Sequence, residues 1–144
     1  MPYVEAVMPV KAQPKDIYII LKEMEKYPDF MPDLISVEVI ERKDNTTKTK
    51  WVSNVGGRII KWTEQDVFDD KNMHISYRQT DGDLKKFEGE WVLTPVGDGT
   101  EIKLTVDFEF GIPMISGLLN PIAKKMVKAN SESMLKGIRD RLEG

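Results

Sequence analysis

Val55-Gly56-Gly57-Arg58, set between two alternating runs, commits the middle of this chain to a tight β-hairpin. Two consecutive glycines supply the positive φ values that a two-residue loop demands. Closing the loop pairs Val55 with Arg58, Ser53 with Ile60 and Trp51 with Trp62. A second loop, Thr80-Asp81-Gly82-Asp83, pairs Thr80 with Asp83, Arg78 with Lys85, Ser76 with Phe87 and His74 with Gly89. Between the hairpins, the simplest connection over Asp69 to Met73 sets Phe68 opposite His74, Asp66 opposite Ser76 and Glu64 opposite Arg78.

Residues directly opposed in an antiparallel pair share a face, so these pairings assign facing strand by strand. One face collects Trp51, Ser53, Ile60, Trp62, Glu64, Asp66, Phe68, His74, Ser76, Arg78, Phe87, Gly89, Trp91 and Leu93. Beyond the turn at Pro95 to Gly99 it continues into Ile102, Leu104, Val106, Phe108 and Phe110, whose neighbours Lys103, Thr105, Asp107 and Glu109 are polar. That clean alternation marks the face as the buried one. A one-residue slip would invert everything beyond it. On this register Ile75 and Tyr77 point outward, as a dimer surface or as ordinary exposed apolar residues.

At 144 residues the chain is read as one domain, 1–144, large enough for a real core. A net charge of −3 with mixed signs gives no field for gripping nucleic acid, so DNA is not expected as a partner. The absence of cysteine excludes disulfides, thiol catalysis and thiolate metal sites. No basic-then-apolar leader opens the chain, and no apolar run approaches the ~20 residues of a membrane span. The expectation is a soluble cytoplasmic protein.

The order of elements follows from local signals. A strand over Tyr3 to Val10 leads into a helix from Pro14 to Lys26, with Pro in its first turn and an apolar stripe of Ile17, Ile20, Leu21 and Met24. Tyr27-Pro28-Asp29-Phe30-Met31-Pro32 stops it. Six strands follow from Asp33, then a helix from Ile115 to Leu142, ~40 Å long at 1.5 Å per residue. Its stripe of Leu118, Leu119, Ile122, Met126, Ala129, Ser133, Gly137 and Ile138 is predicted to lie along the sheet.

This order resembles the helix-grip fold of the birch-pollen-allergen and START-like superfamily. The chain is most similar there to the polyketide cyclase/dehydrase group, which includes coenzyme Q-binding proteins and the ribosome-association toxin family. The resemblance rests on Tyr27 to Pro32, Gly56-Gly57 with Lys61-Trp62, Ile75-Ser76-Tyr77-Arg78, and Gly89 to Pro95 with Gly99-Thr100-Glu101. It implies an α+β fold: a curved, seven-stranded antiparallel sheet wrapped around the C-terminal helix, with a short helical segment between strands 1 and 2. It also implies a hydrophobic pocket between sheet and helix. In aromatase/cyclases of the group, polar pocket groups orient the substrate and assist enolisation. Those positions align here with Leu34, Glu64 and Asp66, and only Arg78 keeps a cationic match. A carboxylate cannot replace arginine as an oxyanion stabiliser, because its charge opposes the developing one.

Glu64, Asp66 and Arg78 are the catalytic candidates. Two readings stand side by side. In one, Glu64 and Arg78 form a cross-strand ion pair that neutralises itself, since burying either charge alone is costly. In the other, Glu64 or Asp66 has its pKa raised by the apolar wall and acts as acid or base while Arg78 holds a ligand oxygen. The candidate ligand wall is Met31, Leu34, Trp51, Ile60, Trp62, Glu64, His74, Ser76, Arg78, Phe87, Trp91, Leu104, Val106 and Phe108, with Leu119, Ile122 and Met126 from the last helix. His74, the single histidine, is read as structural or solvated, with proton transfer the alternative. No metal and no cofactor are expected.

The leading function is binding of a hydrophobic small molecule such as a lipid, isoprenoid quinone or polycycle, with apolar burial supplying the affinity. The alternatives are a cyclase or dehydratase using the pocket carboxylates and Arg78, and an interaction module in which the pocket is only core. Ribosome contact and membrane contact are not indicated by the charge pattern: Lys124, Lys125 and Lys128 form the one compact basic group. Gly111 to Gly117 is either a moving mouth, apolar enough to touch a membrane, or a fixed corner before the helix.

Overall fold

The computed structural model describes residues 2–110 and 120–143. In chain order it contains β1 (Tyr3–Val10), α1 (Pro14–Lys22), a 3-10 turn (Met24–Asp29), β2 (Leu34–Lys43), β3 (Thr46–Val55), β4 (Arg58–Asp69), β5 (His74–Gly82), β6 (Lys86–Val96), β7 (Gly99–Glu109) and α2 (Asn120–Glu143). The strands form one antiparallel sheet in the order β1-β7-β6-β5-β4-β3-β2, so five hairpins run from β2 to β7 and β1 closes against β7. One face of the sheet and the buried side of α2 enclose the core. This is the α+β helix-grip arrangement.

The glycine hairpin forms as its sequence requires. Gly56 and Gly57 have φ of 60° and 87°, Val55 pairs with Arg58, and Trp51 faces Trp62. The β6–β7 ladder then buries Ile102, Leu104, Val106 and Phe108 on the face that carries Trp51, Trp62 and Trp91.

β5 is the exception, and it corrects the register expected from the second loop. Asp69, not Phe68, pairs with His74, a shift of one that sets Asp66 against Tyr77 and Gln65 against Arg78. Arg78 pairs with Glu88 in place of Lys85, a shift of three. Asp81-Gly82 is not a two-residue loop. β5 continues to Gly82, which pairs with Trp62 across a bulge at Thr63/Glu64, and the chain turns at 83–85 with Leu84 buried. Each shift is odd, so β5 alone is inverted, while their sum is even and restores the phase of β6 and β7. Ile75 and Tyr77 therefore face inward, at 0% and 7% exposure, and His74, Ser76 and Arg78 face outward. The energetic reason is direct: this register buries an isoleucine and a tyrosine, whereas the expected one would have buried an arginine and exposed both.

The helices differ from expectation as well. α1 ends at Lys22, where Glu23 leaves helical geometry, and the Leu21 carbonyl accepts the Tyr27 hydroxyl at 2.5 Å. Met24 to Asp29 continues as a 3-10 turn that contains Pro28. Along α2 the buried face is Ala123, Val127, Ser131, Leu135, Gly137 and Ile138; the last two are as predicted, and the earlier positions are displaced by one or two residues from the predicted stripe. Ile122 is 53% exposed, and Ala129 is exposed too. Small side chains at 123 and 131 let the helix approach, and Ser131 satisfies its hydroxyl on the Val127 carbonyl at 2.9 Å. The expected helix start at Ile115, Leu118, Leu119, and the Gly111 to Gly117 segment lie outside the described residues.

Candidate functional site

Three strands bring the tryptophans together. Trp51 on β3 stacks on Trp62 of β4, with ring centres 5.5 Å apart and planes 11° from parallel. Phe87 meets Trp62 at 4.9 Å, and Tyr27 sits edge-on to Trp51 and Trp91 at 5.8 and 6.1 Å. Offset and edge contacts of this kind stabilise an aromatic cluster beyond its buried area.

Within this apolar surround β4 places two carboxyls on the inner face. Glu64 is 3% exposed and Asp66 is 0% exposed. Glu64 Oε1 accepts the Trp62 indole N–H at 2.7 Å. Asp66 Oδ2 accepts the Thr49 hydroxyl at 2.6 Å and the Thr47 hydroxyl at 3.2 Å, and Thr49 in turn accepts the Trp51 N–H at 2.7 Å. No ion pair reaches either carboxyl among the described residues.

Burial pushes the Glu64 carboxyl well above its usual range; the charge of Asp66 and a hydrogen bond to it act in the same direction. Burial also raises Asp66, opposed by hydrogen bonds from Glu64, Thr49 and Thr47. Both shifts run the same way, so the buried pair holds a proton more tightly than free carboxyls do, with the larger upward push on Glu64. Asp66 Oδ1 has no hydrogen-bond partner among the described residues. The nearby Tyr27 and Tyr77 hydroxyls are raised by burial and by these carboxyls, and stay neutral.

Glu64 borders a cavity of about 40 Å³ between sheet and α2, also lined by Leu34, Trp51, Ser53, Trp62, Tyr77, Phe87, Trp91, Leu104, Val106, Val127, Asn130, Ser131 and Met134. That is room for water-sized occupants and not for a ring. Tyr77 crosses the sheet over Gly89, where there is no side chain, and donates to the Thr105 carbonyl at 2.7 Å.

The predicted site residues divide accordingly. Leu34, Trp51, Trp62, Glu64, Phe87, Trp91, Leu104 and Val106 line the cavity, with Asp66 directly behind Glu64. Met31 and Phe108 are buried in the core outside the cavity lining, Ile60 is half-buried, and Met126 lies half-buried over the Gly56 turn. Arg78, His74 and Ser76 are on the opposite face of the sheet, so no Glu64–Arg78 pair exists. His74 Nε2 lies 2.6 Å from Glu90 there, which separates it from Glu64 and Asp66 as a ligand set. Sequence reasoning missed Thr47, Thr49 and Tyr77 and the α2 residues Val127, Asn130 and Ser131. The two threonines were legible, since alternation backwards from Trp51 puts them on its face.

Comparison with known proteins places this geometry. Residues 10–135 match the family model described as polyketide cyclase / dehydrase and lipid transport. Over 100 residues, 68% of this chain, the sequence is 30% identical to the actinorhodin polyketide synthase bifunctional cyclase/dehydratase of Streptomyces coelicolor. The match spans only 32% of that relative's length. A crystal structure of a Thermus thermophilus protein superposes with a TM-score of 0.93 at 34% identity, covering 97% of this chain and 96% of that one. The Zhui aromatase/cyclase of a Streptomyces species superposes at 0.84 with 25% identity, covering 98% and 93%. With the grip fold, the enclosed aromatic cavity and a family match across most of its length, the chain belongs to the polyketide cyclase / dehydrase and lipid transport family.

Proposed function

We propose that the concavity binds a hydrophobic small molecule bearing a carbonyl or hydroxyl oxygen, with Glu64 as the neutral acid that hydrogen-bonds it. The family and its neighbours suggest either hydrophobic ligand binding or polyketide cyclase/dehydratase chemistry. The observation that carries the proposal is an acid without a cationic partner, facing an aromatic cavity and pushed towards its neutral form by burial. Two buried carboxyls without a cation cost stability. A site that needs a proton donor in an apolar wall accounts for their presence.

The cavity must widen to admit a ring. Met134 lines it, and an unbranched thioether repacks readily. Titration with naphthoquinone and with naphthalene, read by quenching of the three tryptophans, tests the reading. Both ligands should saturate. Glu64→Leu should weaken naphthoquinone about tenfold, the value of one lost hydrogen bond, and leave naphthalene unaffected. Equal weakening of both would remove Glu64 from ligand recognition.

A second reading, cyclase or dehydratase chemistry, is favoured by the carboxyl pair itself. Glu64 can protonate the leaving hydroxyl of a β-hydroxy ketone and, as the carboxylate so formed, take the α-proton, which releases water and returns Glu64 to its neutral form. Arg78 has no part in it, because its side chain is exposed on the outer face of the sheet. Turnover of a β-hydroxy ketone that Glu64→Gln lowers by roughly 10²-fold or more would establish this reading.

A further inference from the structure

A ligand that reaches Glu64 must cross a wall, and the walls are unequal. The sheet side of the cavity is built by β2 to β7, held together by backbone ladders that open only by breaking hydrogen bonds. Among the described residues the other side is α2, which packs chiefly along β1 and only sparsely on β3. Between α2 and the β3–β4 hairpin lies an open groove of about 410 Å³, lined in part by Asn54, Gly56, Gly57, Met126 and Asn130.

Asn130 lines both the groove and the cavity. Asp33 and Met126 face the groove where their neighbours Leu34 and Val127 face the cavity. The two spaces thus share Asn130 as a common wall, with Met126 on the groove side of it. The seam is weakly tied: Asn130 Nδ2 donates to the Asn54 carbonyl at a long 3.4 Å. The Met126 side chain lies directly over Gly56, where a Cβ would come within 2.3 Å of its terminal methyl. Methionine at this position turns without breaking backbone bonds, and such rotations are fast.

We propose that the seam between the Asn54 to Gly57 turn and the Met126 to Asn130 face of α2 is the doorway to the cavity, with Met126 as its movable leaf. Gly56 provides the seat, because any larger residue would displace the methionine. The doorway concerns access to the cavity and does not require a particular ligand, so it stands or falls separately from the role of Glu64.

Every tryptophan in the chain lines the cavity, so quenching by the small neutral solute acrylamide reads its accessibility directly. Met126→Ala should raise the quenching constant severalfold, with the melting temperature recorded alongside to show that the fold is intact. Asn130→Ala should act in the same direction. Met8→Ala, which truncates a half-buried methionine on β1 away from the seam, should leave quenching at the wild-type level. Unchanged quenching in both seam variants, or an equal rise in Met8→Ala, would overturn the proposal. Failure of naphthoquinone to bind the wild-type protein, with the quenching pattern intact, would instead count against the ligand reading alone.

Discussion

Glu64→Gln should melt at a higher temperature than the wild-type protein above neutral pH and at nearly the same temperature near pH 4. The folded-state pKa of Glu64 is raised by burial first, and then by Asp66. A group raised in this way contributes its full stability below the unfolded value of ~4.3 and loses it as the pH rises through the folded value. Glutamine keeps the observed contact, its carbonyl accepting the Trp62 N–H, but it never ionises. Its advantage should therefore grow by about 1.4 kcal/mol per pH unit above the unfolded value until the folded value is passed. A kilocalorie corresponds to roughly 4 °C in a domain of this size. The same substitution should abolish any turnover, so stability gained with function lost would mark Glu64 as retained for chemistry. Melting curves that coincide from about pH 4 to about pH 9 would show that Glu64 ionises as freely in the fold as in the unfolded chain.

Gly89→Ala should destabilise the protein by about 3 kcal/mol and move the urea midpoint down by roughly 1–2 M. An added Cβ would lie 1.9 Å from the Thr105 carbonyl oxygen and 2.8 Å from the Tyr77 hydroxyl. The tyrosine could swing aside, but the carbonyl belongs to the β6–β7 ladder and cannot. Tyr77→Phe in the same chain should therefore not rescue it. A loss below ~0.5 kcal/mol, within the range of ordinary surface substitutions, would mean that β6 bends freely at this point.

The strands most legible in the sequence were those whose own pattern agreed with their turns. Two glycines set the β3–β4 register, and the Ile102 to Phe108 alternation set the facing of β7; both hold in the structure. β5 was misread because the Asp-Gly pair outweighed the strand's own apolar positions. Agreement of β7 with the assigned phase could not expose the error, since two odd shifts cancel. Ile75 and Tyr77 alternating with Ser76 and Arg78 carried the correct answer locally.

The same division runs through the candidate site. Glu64 and Asp66 were found because a strand puts alternate residues on one face whatever lies across from it. Arg78 was wrongly joined to them because a partner on the next strand depends on register, and register depends on a bulge at Thr63/Glu64 and a wider loop at 83–85 that no local motif announced. The cavity-facing residues of α2 were missed for a similar reason. A helix with apolar and small residues around much of its circumference has no single face fixed by its pattern, and the sheet it meets selects one. Local geometry and side-chain alternation thus determined the elements, the order of the strands along the chain and the identity of the buried acids. Tertiary packing decided which strand turned over, which side of α2 closed the cavity and where that closure is loosest, because those outcomes depend on the total area buried between elements distant in sequence.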